Sequence, residues 1–209
     1  MAEEKAAVTR AVTSTVDPGT SYLEWGAIFG GATIAGSISV ILLQFGAGAG
    51  LAMGSPTLPD GGASWNVLVA GLWLAVVALA SASAGGYIAG RMRSRRDDAV
   101  ESEVEFRDGT HGLTVWAVST LTVALLMAVI TALSAIGSVA AVAGTDVEAS
   151  ADVVRLTANV SNIFNFATAA GSALGAAAAW FAATLGGQHR DEGLSVHEIV
   201  PASFRRRAV

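Results

Sequence analysis

Four long runs of apolar residues, each free of Asp, Glu, Lys and Arg, alternate along the chain with short polar segments. They extend over residues 25–51, 67–89, 113–142 and 162–185. A helix needs about 20 apolar residues to cross the hydrocarbon layer of a bilayer. Each run meets that length, and none shows the strict alternation of a lipid-facing barrel strand. A segment surrounded by lipid must satisfy its own backbone N–H and C=O groups, so helices are predicted for all four. The expected fold is all-α: a bundle of four transmembrane helices. All four prolines (Pro18, Pro56, Pro59 and Pro201) fall outside the runs, as expected for a residue that breaks helix interiors.

The polar segments orient the bundle. Lys5 and Arg10 precede the first run, and Arg91, Arg93, Arg95, Arg96 and Arg107 lie between the second and third. Arg190, Arg205, Arg206 and Arg207 follow the fourth. Every basic residue except Arg155 therefore falls on one side, which the positive-inside rule makes cytoplasmic, with both termini inside. This gives a cytoplasmic tail (1–21), a membrane domain (22–188) and a second cytoplasmic tail (189–209). Residues 90–112 form a cytoplasmic loop, and 52–66 and 143–161 form external ones. Tyr22, Trp25, Tyr87, Trp116 and Trp180 sit near inner ends of runs, where amphipathic rings favour the headgroup layer. Trp73 lies deeper and reads as a packing residue.

Composition agrees. Of the 209 residues, 53% are hydrophobic and only 14% charged, against roughly 25% charged in an ordinary soluble domain. Mean hydropathy is +0.56. The net charge of −5 and the absence of a basic stripe give no footprint for nucleic acid. There is no cysteine, which excludes disulfides and thiolate metal or haem-attachment sites. Neither a phosphate loop nor a dinucleotide fingerprint nor a zinc-protease motif occurs, so no enzyme activity and no cofactor are expected. The first run is too long for the core of a cleaved signal peptide.

Small residues recur four apart: Gly26 and Gly30, Gly46 and Gly50, Gly86 and Gly90, Gly171 and Gly175. That spacing lets helix backbones approach closely in lipid, within one subunit or between subunits. The third run is richer in Leu, Val and Met, which predicts more lipid exposure for it. Spans two and four end in similar Gly-rich, then basic–acidic stretches, a faint sign of two tandem hairpins.

Several residues are candidates for chemistry. Glu24 lies at the start of span one, where it can pair with Arg91 or Arg93 or serve a proton or ion relay. Gln44, Asn162 and Asn165 suit interhelical hydrogen bonds. His111 and His189 border spans three and four on the same side and are weak candidates for shared metal or haem ligation. Against that, Asp108 and Thr110 are possible N-caps that would make His111 part of a helix start. His189 follows a Gly-Gly helix end and could complement the helix dipole. Arg91, Arg93, Arg95 and Arg96 suit anionic lipid headgroups. The alternating stretch Val100–Phe106 could extend along a partner or pair as a short strand, and the carboxylates of this loop could attract a divalent cation. Residues 146–159 could continue the fourth helix beyond the membrane.

The motifs Trp25-Gly-Ala-Ile-Phe-Gly-Gly31, Phe45-Gly-Ala-Gly-Ala-Gly-Leu51, Gly85-Gly-Tyr-Ile-Ala-Gly-Arg91 and Arg107-Asp-Gly-Thr-His-Gly-Leu113, with Trp116, resemble a family of small bacterial inner-membrane proteins that carry the label PhnA-like. The resemblance extends over Tyr22 to Trp116 and loosely over the last span. It implies a multi-pass protein of the bacterial inner membrane and brings no activity with it. Two functions follow as expectations. One is a structural or accessory subunit, a homo-oligomer or part of a membrane complex, with the lipid bilayer as its first partner. The other is a small transporter or channel made from a dimer of four-helix units.

Overall fold

A computed structural model describes residues 22–50, 64–95, 100–142 and 151–195. These form four helices: α1 (Trp25–Gly48), α2 (Trp65–Met92), α3 (Glu101–Val142) and α4 (Ala151–Asp191). Each contains a stretch long and apolar enough to cross a membrane: Trp25–Gly48, Trp65–Met92, Glu101–Leu133 and Asn165–Asp191. Both tails up to residue 21 and beyond 195, all four prolines, Arg96 and most of the two expected external loops lie outside the described residues.

Helix α2 is central. It packs along α4 most extensively and also on α1 and α3, and α3 touches the other three. Helices α1 and α4 flank this pair and do not meet among the described residues. The contacts are made by small residues. Gly31 of α1 and Gly85 of α2 face each other so closely that a Cβ on either would lie 2.5 Å from the other's carbonyl oxygen. Around them Ile28, Ala32, Ala35, Ala89 and Val115 form the core, with Leu23 and Val118 partly buried against it. On the other side of α2, Gly86 and Gly90 receive the backbone of Ala179 and Ala183, and Gly112 of α3 closes on the same two alanines. Ala179 and Ala183 are fully buried there. Small side chains give van der Waals contact between backbones at little entropic cost, which is what holds helices together when neither partner is driven by water.

Three helix boundaries differ clearly from the expected ones. Helix α4 begins at Ala151, so the expected external loop is helical from there and the continuation of the fourth helix is present. The other two lie at the charged end. Helix α3 starts at Glu101, so Val100–Phe106 is neither extended nor a strand. Glu101 and Glu103 in its first turn complement the N-terminal dipole, and Glu103 pairs with Arg107 one turn on. The polar residues there follow the helical period. Arg107, Asp108, His111, Gly112 and Val115 are all buried on one stripe. Helix α4 does not stop at Gly186-Gly187. Those glycines lie inside it, where a Cβ would overlap the Tyr87 carbonyl or the Asp108 carboxylate. The stop is Gly193, at φ +69, with Gly193 N–H donating to the Arg190 carbonyl at 3.1 Å and Leu194 N–H to that of His189 at 3.0 Å. This is the double-bonded C-terminal motif that favours glycine in the left-handed region.

Among the described residues, the stretch of α3 from Leu121 to Leu133 is the least buried part of the bundle. Leu121, Leu125, Leu126, Val129, Ile130 and Leu133 are exposed, in line with the composition of that run. Trp73 is a packing residue, as its depth suggested. Its indole lies against Gly46 and Phe45, and its Nε1–H donates to the Leu42 carbonyl at 3.0 Å.

Candidate functional site

The ends of α2 and α4 and the starts of α1 and α3 meet at one end of the bundle, where the charged residues between the apolar runs converge. Asp108, third turn of α3, is 1% exposed. Arg93, which caps α2, donates its Nε–H to Asp108 Oδ1. Arg190, in the last turn of α4, donates from Nη1 to Asp108 Oδ1 at 3.2 Å and from Nη2 to Oδ2 at 3.3 Å. The same guanidinium donates to the Gly90 carbonyl at 2.8 Å and, through Nε and Nη2, to both carboxylate oxygens of Asp191 at 2.8 Å each. Arg95 closes the group by donating to the Arg190 carbonyl. Arg93 and Arg190 thus balance Asp108 and Asp191 in charge, and three helices are tied through one carboxylate. One nitrogen, Arg93 Nη2, is buried with no hydrogen-bond partner.

A second set of bonds locks the start of α1. Glu24 caps α1 by position, but its side chain reaches away from its own helix. Its carboxylate accepts from Ser94 N–H at 3.0 Å and Ser94 Oγ–H at 3.1 Å. The expected pairing of Glu24 with Arg91 or Arg93 is not formed. Arg93 is committed to Asp108, and Arg91 donates to the Leu194 carbonyl at 2.9 Å. Glu24 N–H donates to His111 Nε2 at 2.9 Å, while His111 Nδ1 lies 2.7 Å from the Arg107 carbonyl. Each partner has a fixed role. An amide N–H only donates and a carbonyl only accepts, so His111 is the neutral tautomer with its proton on Nδ1. Arg107 in turn covers the Tyr22 ring at 4.1 Å.

These contacts correct two readings. His111 is not at a helix start, and Asp108 is no N-cap. Both are interior positions of α3. Nor is His111 open to a metal shared with His189, because both its nitrogens are engaged. His189 Nδ1 is 3.1 Å from the Tyr87 hydroxyl. Among the described residues no group of three His, Asp or Glu is placed to hold a metal ion. Beside Asp108 lies an acid-lined cleft of about 250 Å³ bordered by Glu101, Glu105, Asp191 and Glu192.

Of the glycines selected by spacing, Gly86 and Gly90 meet the α4 backbone, Gly171 and Gly175 meet Ala75 and Ala78 of α2, and Gly46 meets Trp73. Gly30 has only the end of Met92 beside it. Gly26 faces open space, and Gly50 lies past the end of α1 at φ +77. Spacing alone missed Gly31, Gly85 and Gly112. Gln44 and Asn165 are exposed, and the side chain of Asn162 lies outside the described residues. The signal that could have found Asp108 is its position: an acid one turn before a run, on the side where arginines end two neighbouring runs.

A second cavity, about 340 Å³, lies mid-bundle and is bordered by all four helices. Its floor is Val77, Ser81 and Ala82 of α2, all buried, and its rim includes Thr120 and Ala124 of α3 and Thr168 of α4, all exposed. No family model, curated protein or solved structure matches the chain.

Proposed function

We propose that this chain is a multi-pass protein of a bacterial inner membrane, with both termini cytoplasmic, and that it serves as a structural or accessory subunit that self-associates or joins a larger membrane complex. One observation carries the reading: the buried charged side chains of Arg93, Asp108 and Arg190 are engaged with each other, while Leu121, Leu125, Leu126 and Leu133 of α3 form an exposed apolar face. A carboxylate held by two arginines and a histidine bonded through both nitrogens are suited to fixing helices rather than to turning over a substrate. The exposed leucines along four long apolar helices favour lipid as the surrounding medium. The arginines gathered at one end favour the cytoplasmic placement of that end. The motifs around Trp25, Gly85 and Arg107 support a place in the PhnA-like family.

The cysteine-free sequence makes association easy to test. Single cysteines at Leu125→Cys and Ile130→Cys, oxidised in native membranes, are expected to give a covalent homodimer or one discrete adduct. Phe181→Cys, exposed on α4, serves as the control. Monomer from every variant, with a monomeric mass in mild detergent, would reject the proposal.

A second reading, a small transporter or channel formed by two four-helix units, is favoured by the mid-bundle cavity. Neither Glu24 nor Gln44 borders it. On this reading the full chain in liposomes passes an ion or small solute, and Ala124→Trp at the rim stops it. Absence of flux for every ion and small solute tried removes the reading.

A further inference from the structure

We infer that the mid-bundle cavity is a binding site for a single hydrocarbon chain of a bilayer lipid, entering from the side past Thr120, Ala124 and Thr168. The inference rests on the membrane reading above.

Depth is the first argument. At 1.5 Å per residue, Thr120 and Met127 lie about 18 and about 28 Å along α3 from Asp108. The hydrocarbon layer is about 30 Å thick. With the charged end at the headgroups, the rim opens among acyl chains, so whatever enters comes from the bilayer interior.

Chemistry is the second. The lining contains no charged residue. Two of its hydroxyls are already satisfied by their own helices: Ser81 Oγ–H donates to the Val77 carbonyl at 2.7 Å and Ser119 Oγ–H to that of Trp116 at 3.1 Å. Back-bonded hydroxyls do not require water. Leu43, Leu74, Val77, Val123 and Met127 supply an apolar wall. Four more hydroxyls, of Ser39, Thr120, Thr168 and Ser172, border the space, but most of its lining is apolar.

Size is the third. A volume of 340 Å³ is at the lower end for ligand pockets. A helix of a second copy, about 10–12 Å across with its side chains, would not enter it. A flexible chain would, and left empty the walls would forfeit their dispersion contacts.

The test uses the full chain reconstituted in phosphatidylethanolamine–phosphatidylglycerol vesicles that contain a phosphatidylethanolamine with a diazirine at the middle of one acyl chain. After irradiation, labelled peptides are mapped by mass spectrometry. Labelling is expected at the exposed face around Leu125 and also at the sheltered floor residues Val77, Ser81 and Ala82. Ala124→Trp at the rim is expected to abolish the floor label and leave the face label. Label on the face alone, or floor label unaffected by Ala124→Trp, overturns the site while leaving the membrane reading intact. No label at either place overturns the membrane reading itself. As a second measurement, Ser172→Cys at the cavity wall is treated with a membrane-impermeant maleimide. Modification there means a water-filled space and overturns the site. Resistance, with modification by a lipid-soluble maleimide, supports it.

Discussion

Asp108→Ala is expected to be the most damaging single change in the charged cluster, costing about 3–5 kcal/mol because it strands partners in the interior. Arg93 and Arg190 are 2% and 8% exposed and both direct guanidinium groups at this carboxylate. Without it, two like charges remain close together and Arg93 loses its ion pair. Arg190 keeps Asp191, whose side chain is 40% exposed and hydrated, and the Gly90 carbonyl. Asp108→Asn should do less harm, since an amide oxygen still accepts from one guanidinium while the charge is gone. Thermal unfolding in detergent, followed by tryptophan fluorescence, reads both variants against the parent. If Asp108→Ala lay within about 1 kcal/mol of the parent, in the range of an exposed pair, the cluster would not be holding the helices. Glu103→Ala is the natural contrast. Its pair with Arg107 has a half-exposed acid, and a loss within that same surface range is expected.

The cluster also marks the limit of what could be read from sequence. Apolar runs announced the helices because hydropathy needs no partner: a stretch such as Val67 to Ala89 is greasy whatever surrounds it. The charged end was different. Glu101, Glu103, Arg107 and Asp108 look like loop chemistry, since a span is recognised by the absence of charge. They are helical because Arg93 and Arg190, 15 and 82 residues away in the chain, supply the countercharge that lets the stripe be buried. The glycines show the same limit. A spacing of four places two residues on one helix face but does not say whether a neighbour lies opposite. Gly26 and Gly30 fit the spacing, yet the close approach on α1 is made by Gly31, one residue on and about 100° around the helix. In α4, Gly186-Gly187 resembled a terminus because glycine ends many helices. Here the missing side chains admit Tyr87 and Asp108 instead, and the actual stop is Gly193, where φ is positive.

A graded glycine series should separate contact from spacing. At Gly90 a Cβ would overlap the Ala183 carbonyl oxygen and lie 3.0 Å from the Gly187 nitrogen. Both are backbone atoms of α4, so no rotamer change relieves them, and the helix must shift. Gly90→Ala is therefore expected to cost about 1–3 kcal/mol, the range for forcing extra methyl groups into a close-packed interior. Gly86→Ala meets the Ala179 carbonyl oxygen at 2.5 Å and should follow closely. Gly30→Ala meets only the flexible end of Met92 at 3.4 Å and should be near neutral. Gly26→Ala has nothing within 4 Å and should stabilise, by up to about 1 kcal/mol, through helix propensity alone. Thermal unfolding of the four variants gives the order directly. Equal effects at Gly26 and Gly90 would mean that the helices do not pack in this register. The Gly90 change carries a second consequence. Arg190 donates to the Gly90 carbonyl and to Asp108 with the same guanidinium, so a displaced α4 also stretches the ion pair. Gly90→Ala combined with Asp108→Ala should then cost less than the two separately, because each disrupts what the other relies on. Strict additivity would place the small-residue seam and the charge cluster in independent parts of the bundle.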